Sequence, residues 1–256
     1  MPVLRVSNLS MSFGGIKALS NINLEVERGE IIGLIGPNGA GKTTFFNLLT
    51  GIYSPTEGEI EYNLKKRGTS KNIKPHKIIG YGISRTFQNI RLFKNMTVLE
   101  NVLIGFHNNF RYGLGASVLR LPFFYKNEKE AYIEAMNLLS IFSLSDKADE
   151  FAGNLPYGEQ RKLEIARALA AEPQLLLLDE PAAGMNPRET QELMELIKWI
   201  KDRFNLTIIL IEHDMSLVMN VCKRIFVFDY GILIAQGTPQ EIQNNPAVIK
   251  AYLGGE

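Results

Sequence analysis

The chain has 256 residues, 45% of them hydrophobic, with 28 Lys and Arg against 27 Asp and Glu for a formal net charge of +1. That length buries a sizeable core, as one large domain or as a domain with an inserted lobe. The balanced charge argues against a general nucleic-acid-binding surface, which needs a basic excess. Cys222 is the single cysteine, so no intrachain disulfide forms and a reducing compartment fits; its plain reading is a small buried apolar residue. The first ten residues hold no apolar core of signal-peptide length, so export by that route is not expected. No run approaches the roughly 20 apolar residues of a membrane-spanning helix.

Taken in order, residues 3–7, 22–26 and 58–62 alternate apolar with polar and predict half-exposed strands. Residues 31–35 form a short apolar run, read as a strand buried on both faces. It leads into Gly36, Pro37, Asn38, Gly39, Ala40, Gly41, Lys42 and Thr43, which fit the phosphate-loop pattern G-x-x-x-x-G-K-S/T. A helix-like stretch follows over 43–49. Glycines let backbone N–H groups wrap closely around phosphate oxygens. Lys42 then reaches the β- and γ-phosphates, and the Thr43 hydroxyl helps to hold Mg²⁺. Residues 64–77 are basic and polar, and are expected to be a solvated loop.

Between about 97 and 150 strand signals vanish, and spacings such as Ile133, Met136 and Leu139 suit helices. Residues 155–170 read as a helix, with Leu163, Ile165, Ala166, Leu169 and Ala170 among charged residues. Its opening, Pro156, Tyr157 and Gly158, supplies no side-chain hydroxyl or carboxylate at the usual N-cap positions. A helix start beside a glycine is a natural anion seat, because unpaired N–H groups point outwards there.

Four leucines, 175–178, predict a buried strand that ends in Asp179 and Glu180. Asp179 is placed to bind Mg²⁺ as the acidic partner of the phosphate loop, and Glu180 to orient or deprotonate a water attacking the γ-phosphate. A further buried run, 207–211, ends in Glu212, His213 and Asp214, and residues 225–228 form another. His213 is read either as a bland surface residue or as a donor to the γ-phosphate.

With these motifs in place the chain resembles the ATP-binding subunit of an ABC transporter over nearly all of its length. The resemblance implies an α/β phosphate-loop NTPase (RecA-like) core, an N-terminal antiparallel β subdomain and an inserted α-helical subdomain. The expected division is a single ABC ATPase domain over 1–256, with 1–88 and 161–256 as the nucleotide-binding core and 89–160 as the helical subdomain. The same resemblance adds Thr44 to the nucleotide site, and makes Gln88 a catalytic and Mg²⁺-associated glutamine. It makes Leu155, Pro156, Tyr157, Gly158 and Glu159 the signature segment, which meets an ATP held by a partner subunit. Phe13 is then the ring that stacks on adenine; the other reading is a core aromatic of an N-terminal hairpin. ATP and Mg²⁺ are the implied ligands.

Three positions depart from the family pattern. Pro156 stands where the signature has a serine, losing a hydroxyl and a backbone N–H, and Tyr157 stands for the first glycine. Asn186 stands where an aspartate usually crosses the dimer interface. A narrower resemblance, to the LivG type, rests on residues 85–93, on the Leu-x-Tyr-Gly signature and on Glu180, Pro181 and Gly184. LivG-type subunits serve importers of branched-chain, hydrophobic amino acids. This implies a second, LivF-like ATPase as head-to-tail partner, two membrane-spanning permease subunits, a periplasmic or extracellular binding protein, and no nucleic acid. The chain is then peripheral on the cytoplasmic face of the cell membrane. An aromatic insertion over 106–125 is read either as a membrane-surface or permease contact or as core of the helical lobe. The alternative function is the ATPase of a related system for urea or amide import or lipopolysaccharide export. A GTPase is disfavoured because no Asn-Lys-x-Asp stretch occurs.

Overall fold

The structure, a computed structural model, describes residues 1–71, 73–106 and 122–253. Strands β1 (Leu4–Phe13), β2 (Ile16–Val26), β4 (Glu57–Asn63) and β5 (Arg67–Thr69) form an antiparallel sheet in the order β2-β1-β4-β5. A six-stranded sheet runs β10-β9-β3-β8-β7-β6, from β3 (Ile31–Ile35), β6 (Ile83–Arg85), β7 (Leu175–Asp179), β8 (Thr207–Ile211), β9 (Arg224–Asp229) and β10 (Ile232–Gly237). Its pairings are parallel except for the β9–β10 hairpin.

Every residue of β3, β7 and β8 is buried. Continuous apolar runs are what a parallel strand covered on both faces requires. The alternating strands instead pair antiparallel and leave one face wet, as in β4, where Ile60 and Tyr62 are buried on either side of exposed Glu61. Helix α1 (Lys42–Leu49) joins the two sheets. Its Phe45, Phe46, Leu48 and Leu49 share one core with Leu9 and Ile60 of the first sheet and with Leu34, Leu177 and Phe228 of the second. Tyr62 ties the layers by donating its hydroxyl to the Leu49 carbonyl at 3.1 Å.

The chain divides into two compact units, residues 1–88 with 174–256, and residues 89–173. The expected boundary at 160 falls inside one continuous helix, Tyr157–Ala170, which belongs whole to the second unit. That unit contains α2 (Val98–Gly105), α3 (Pro122–Ile141) and α4 (Tyr157–Ala170). Thr97 and Glu100 close a capping box at the start of α2. Buried Asn101 bonds both the N–H and the carbonyl of Phe93, fixing the loop before the helix. The first unit also holds α5 (Pro187–Arg203), α6 (Met215–Val221), α7 (Pro239–Gln243) and α8 (Pro246–Leu253).

One expectation needs correction. The loop expected over 64–77 contains β5 and the start of a 3-10 segment, Pro75–Tyr81. Ile73 and Ile78 are buried, and the buried Ser70 hydroxyl accepts the Ile60 N–H at 3.1 Å, so the basic residues here face water while the backbone pairs. The inner stripe of α3 is Ala131, Ala135, Leu138 and Leu139, and Ile133 is 47% exposed. Alanines satisfy helical periodicity without announcing themselves by size. Residues 107–121, most of the aromatic insertion, lie outside the described residues; 122–125 open α3.

Cys222 is buried beside Gly33 of β3, where an added Cβ would lie 3.1 Å from its Sγ. Burial, and then the Glu212 charge, push the Cys222 thiol up to about 12. The reactive thiolate is therefore suppressed well above pH 8. We expect no labelling of Cys222 by a thiol reagent at pH 8 in native protein and full labelling in denaturant; rapid native labelling would contradict its burial.

Candidate functional site

The site in the first unit begins where β3 ends. Gly36 has φ 149°, and a Cβ there would sit 2.0 Å from the Phe228 carbonyl oxygen, so only glycine permits the chain to leave the strand this way. At Gly41, φ 97°, a Cβ would collide with the Ala18 carbonyl. Gly41 caps α1 without a side-chain hydrogen bond, and the first turn of α1 contains no acidic residue. A helix end with no carboxylate of its own is suited to an external anion. Lys42 lies within the loop, its Nζ donating to the carbonyls of Gly36 at 2.6 Å and Pro37 at 2.8 Å. Burial lowers the Lys42 pKa, while Glu180 and Asp179 counter it by raising it. Thr43 is exposed and Thr44 half-buried at the start of the helix.

The carboxylates stand at the end of β7. Asp179 is held by Arg85, whose Nη2 lies 2.7 Å from Oδ2 with both side chains almost wholly buried. Arg85 also donates Nη1 to Asn47 of α1 at 2.7 Å and lies over the rings of Phe46 and Phe87. One guanidinium therefore joins β6, β7 and the phosphate-loop helix. Glu180 has φ 47°, in the left-handed region that a residue with a Cβ rarely occupies. Its Oε2 accepts from Gln88 Nε2 at 2.9 Å, and its Oε1 lies 3.0 Å from His213 Nε2. The structure thus brings together Gln88, Glu180 and His213, three residues far apart in sequence. Sequence reasoning missed Arg85 and Asn47, whose pairing depends on strand and helix neighbours that no local pattern announces.

Phe13 closes β1 with 42% exposure, and its ring meets Tyr53 edge-on at 5.1 Å. It is a half-exposed aromatic at a hairpin end, not a core residue.

The second unit carries the helix start of interest. Pro156 is the N-cap of α4 and makes no side-chain capping bond. Leu155 and Gly158 are buried and Tyr157 is 44% exposed. Glu159 pairs with Lys147 at 2.6 Å. Tyr157 turns along its own helix, where its hydroxyl accepts from Arg161 Nη2 at 3.2 Å. Back in the first unit, Asn186 caps α5, accepting from the N–H groups of Arg188 and Glu189 at 3.0 Å each. Helix capping therefore accounts for its amide oxygen.

A buried parallel strand, a glycine loop on a helix start and an acidic strand end define a phosphate-loop nucleotide-binding ATPase. Residues 19–183 match the family model described as ABC transporter, and residues 233–256 match that described as branched-chain amino acid ATP-binding cassette transporter. The chain is 49% identical to the high-affinity branched-chain amino acid transport ATP-binding protein LivG of Salmonella typhimurium, covering 99% of this chain and 98% of that one. It is 47% identical, with the same coverage, to the corresponding protein BraF of Pseudomonas aeruginosa. Among solved structures, the ADP conformation of an ATP-binding cassette of an ABC transporter matches with a TM-score of 0.84 at 32% identity over 99% of both chains. A nucleotide-free ATP-binding cassette matches at 0.83 and 34% identity, over 99% of this chain and all of that one. The chain belongs to the ABC transporter family, as an ATP-hydrolysing subunit of the LivG type. Among the described residues no helix is long and apolar enough to cross a membrane.

Removing one member of a buried ion pair leaves the other uncompensated, at a cost of about 3–5 kcal/mol. Arg85→Ala should lower unfolding stability by that order in a urea titration, whereas joint replacement by Arg85→Met and Asp179→Leu should cost less. Equal losses would mean that the pair is not the stabilising unit.

Proposed function

We propose that this chain energises an importer of branched-chain amino acids by hydrolysing ATP at a site shared with a second ATPase subunit. Near full-length likeness to LivG and BraF supports the substrate class, as does the match of residues 233–256. The observation that carries the hydrolytic reading is the Glu180 carboxylate, held between Gln88 and His213 beside the phosphate loop's lysine.

Phe13 stacks on adenine. The loop from Gly36 through Pro37, Asn38, Gly39, Ala40 and Gly41, with the N–H groups at Lys42, Thr43 and Thr44, receives the phosphates. Lys42 exchanges its bonds to the loop carbonyls for phosphate oxygens. The donor set of Thr43, Gln88 and Asp179 is all oxygen and partly solvent-accessible, which fits a hard cation that keeps several waters. Mg²⁺ held there would supply neutralisation of charge on the β- and γ-phosphates. Glu180 orients the attacking water and takes its proton as the bond to the γ-phosphorus forms. ADP departs with the β-oxygen, and His213 donates to the phosphoryl oxygens.

The partner is a LivF-like ATPase in head-to-tail contact, and the pair sits peripherally on two permease subunits at the cytoplasmic face of the membrane, fed by an external amino-acid-binding protein. Leu155, Pro156, Tyr157, Gly158 and Glu159 face the partner's ATP. Lacking a serine hydroxyl, this half-site forgoes a hydrogen bond to a charged group worth about 1.5–3 kcal/mol. At about 1.4 kcal/mol per decade that slows or loosens the partner's site by roughly ten- to a hundredfold. Phe93, 51% exposed under Arg167, with half-buried Ile90, Leu92 and Met96, offers an apolar surface for a permease helix.

Glu180→Gln should keep ATP binding and nearly abolish turnover in the assembled transporter, whereas Lys42→Ala should weaken ATP binding itself. Glu180→Gln should also reduce transport more than the matching change in the partner. Hydrolysis by Glu180→Gln at the wild-type rate would sink the assignment of the base. Equal transport losses from the two substitutions would remove the asymmetry.

A further inference from the structure

Glu212, the last residue before His213, is 4% exposed at the end of β8, an unusual place for a carboxylate. Its oxygens are committed to backbone. Oε1 accepts the Ala182 N–H at 2.7 Å, while Oε2 accepts the His213 N–H at 3.0 Å and the Asp214 N–H at 3.5 Å. Burial raises its pKa, the three N–H groups pull it down, and the nearby Glu180 charge raises it again.

The geometry of Glu180 says what such a costly arrangement does. A non-glycine residue at φ 47° persists only where its surroundings over-determine it. The Glu180 N–H is fixed to the Ile211 carbonyl at 2.9 Å. Two residues on, the Ala182 N–H is fixed to Glu212, so the turn is pinned on both sides of the strained residue. The other oxygen of the same carboxylate pins the backbone of His213, whose ring meets Glu180 Oε1. We propose that Glu212 is a positioning residue for hydrolysis: its carboxylate clamps the turn after Glu180 and the loop carrying His213 into one geometry. This rests on Glu180 being the base. Glu212 acts through the backbone groups to which both its oxygens are committed.

A displacement of about 1 Å in a reacting group can cost about a hundredfold in rate. Glutamine at 212 keeps one acceptor but turns an NH₂ towards the second backbone donor, so it cannot hold both loops. In the assembled transporter, Glu212→Gln should lower turnover about ten- to a hundredfold. ATP should still bind at full stoichiometry with affinity within about twofold, which separates mispositioning from lost fold. The double variant Glu180→Gln with Glu212→Gln should be no slower than Glu180→Gln alone, because coupled residues are not additive. Glu212→Asp, charged but one methylene shorter, should fall between wild type and Glu212→Gln, and it carries the same test if Glu212→Gln does not bind ATP stoichiometrically. Wild-type turnover in Glu212→Gln beside an inactive Glu180→Gln would overturn the clamp, as would additive losses. Wild-type turnover in Glu180→Gln would instead overturn the assignment of the base.

Discussion

The parallel ladder joining β3, β8 and β7 is the constraint on which the nucleotide-binding unit depends. Its register sets Leu34 opposite Ile211 and Ile211 opposite Asp179, so three buried strands end on one edge of the sheet. The glycine loop follows Ile35, Glu180 follows Asp179, and Glu212 with His213 follow Ile211, each within a few residues of those ends, while Gln88 comes from beyond the neighbouring β6. A parallel sheet places its ligands outside the carboxyl ends of its strands for this reason. Apolar burial of the strands fixes the frame, and the polar groups beyond the strand ends are left to react.

Ionic groups tie that edge together at two levels. Arg85 holds Asp179 and Asn47, linking β6, β7 and the phosphate-loop helix through one buried guanidinium. Glu212 joins the turns beyond β7 and β8 through backbone donors. Neither device is economical as stabilisation, since burying charge costs free energy even when it is paired. Their value is geometric: they hold Asp179 and Glu180, two adjacent carboxylates, in distinct and fixed orientations beside Lys42.

Most of the proposed site residues are legible in the sequence because they sit in local patterns. The phosphate loop announces itself by glycine spacing, and Asp179 and Glu180 by four preceding leucines. His213 was visible only as the end of another apolar run, and gained meaning from order along the chain. What escaped was non-local or small. β6 is three residues long, and β10 alternates weakly on a half-exposed hairpin. The helix expected from Ile133, Met136 and Leu139 is present as α3, but half of its inner stripe is alanine, so the buried face is not marked by large residues. Arg85 looked like an ordinary charge because its partners lie on β7 and α1, and Glu212 because its acceptors meet backbone N–H groups, which no side-chain pattern announces. Pro156 was legible as a missing donor, and the structure adds that it is the N-cap itself.

The measurement that bears most directly on the function is ATP hydrolysis in liposomes, with this chain, its partner ATPase, the permease subunits and the binding protein present together. The account predicts that leucine, isoleucine or valine raises hydrolysis and is accumulated, and that both responses vanish with Glu180→Gln. Stimulation by urea or a short amide, with no response to branched-chain amino acids, would contradict it.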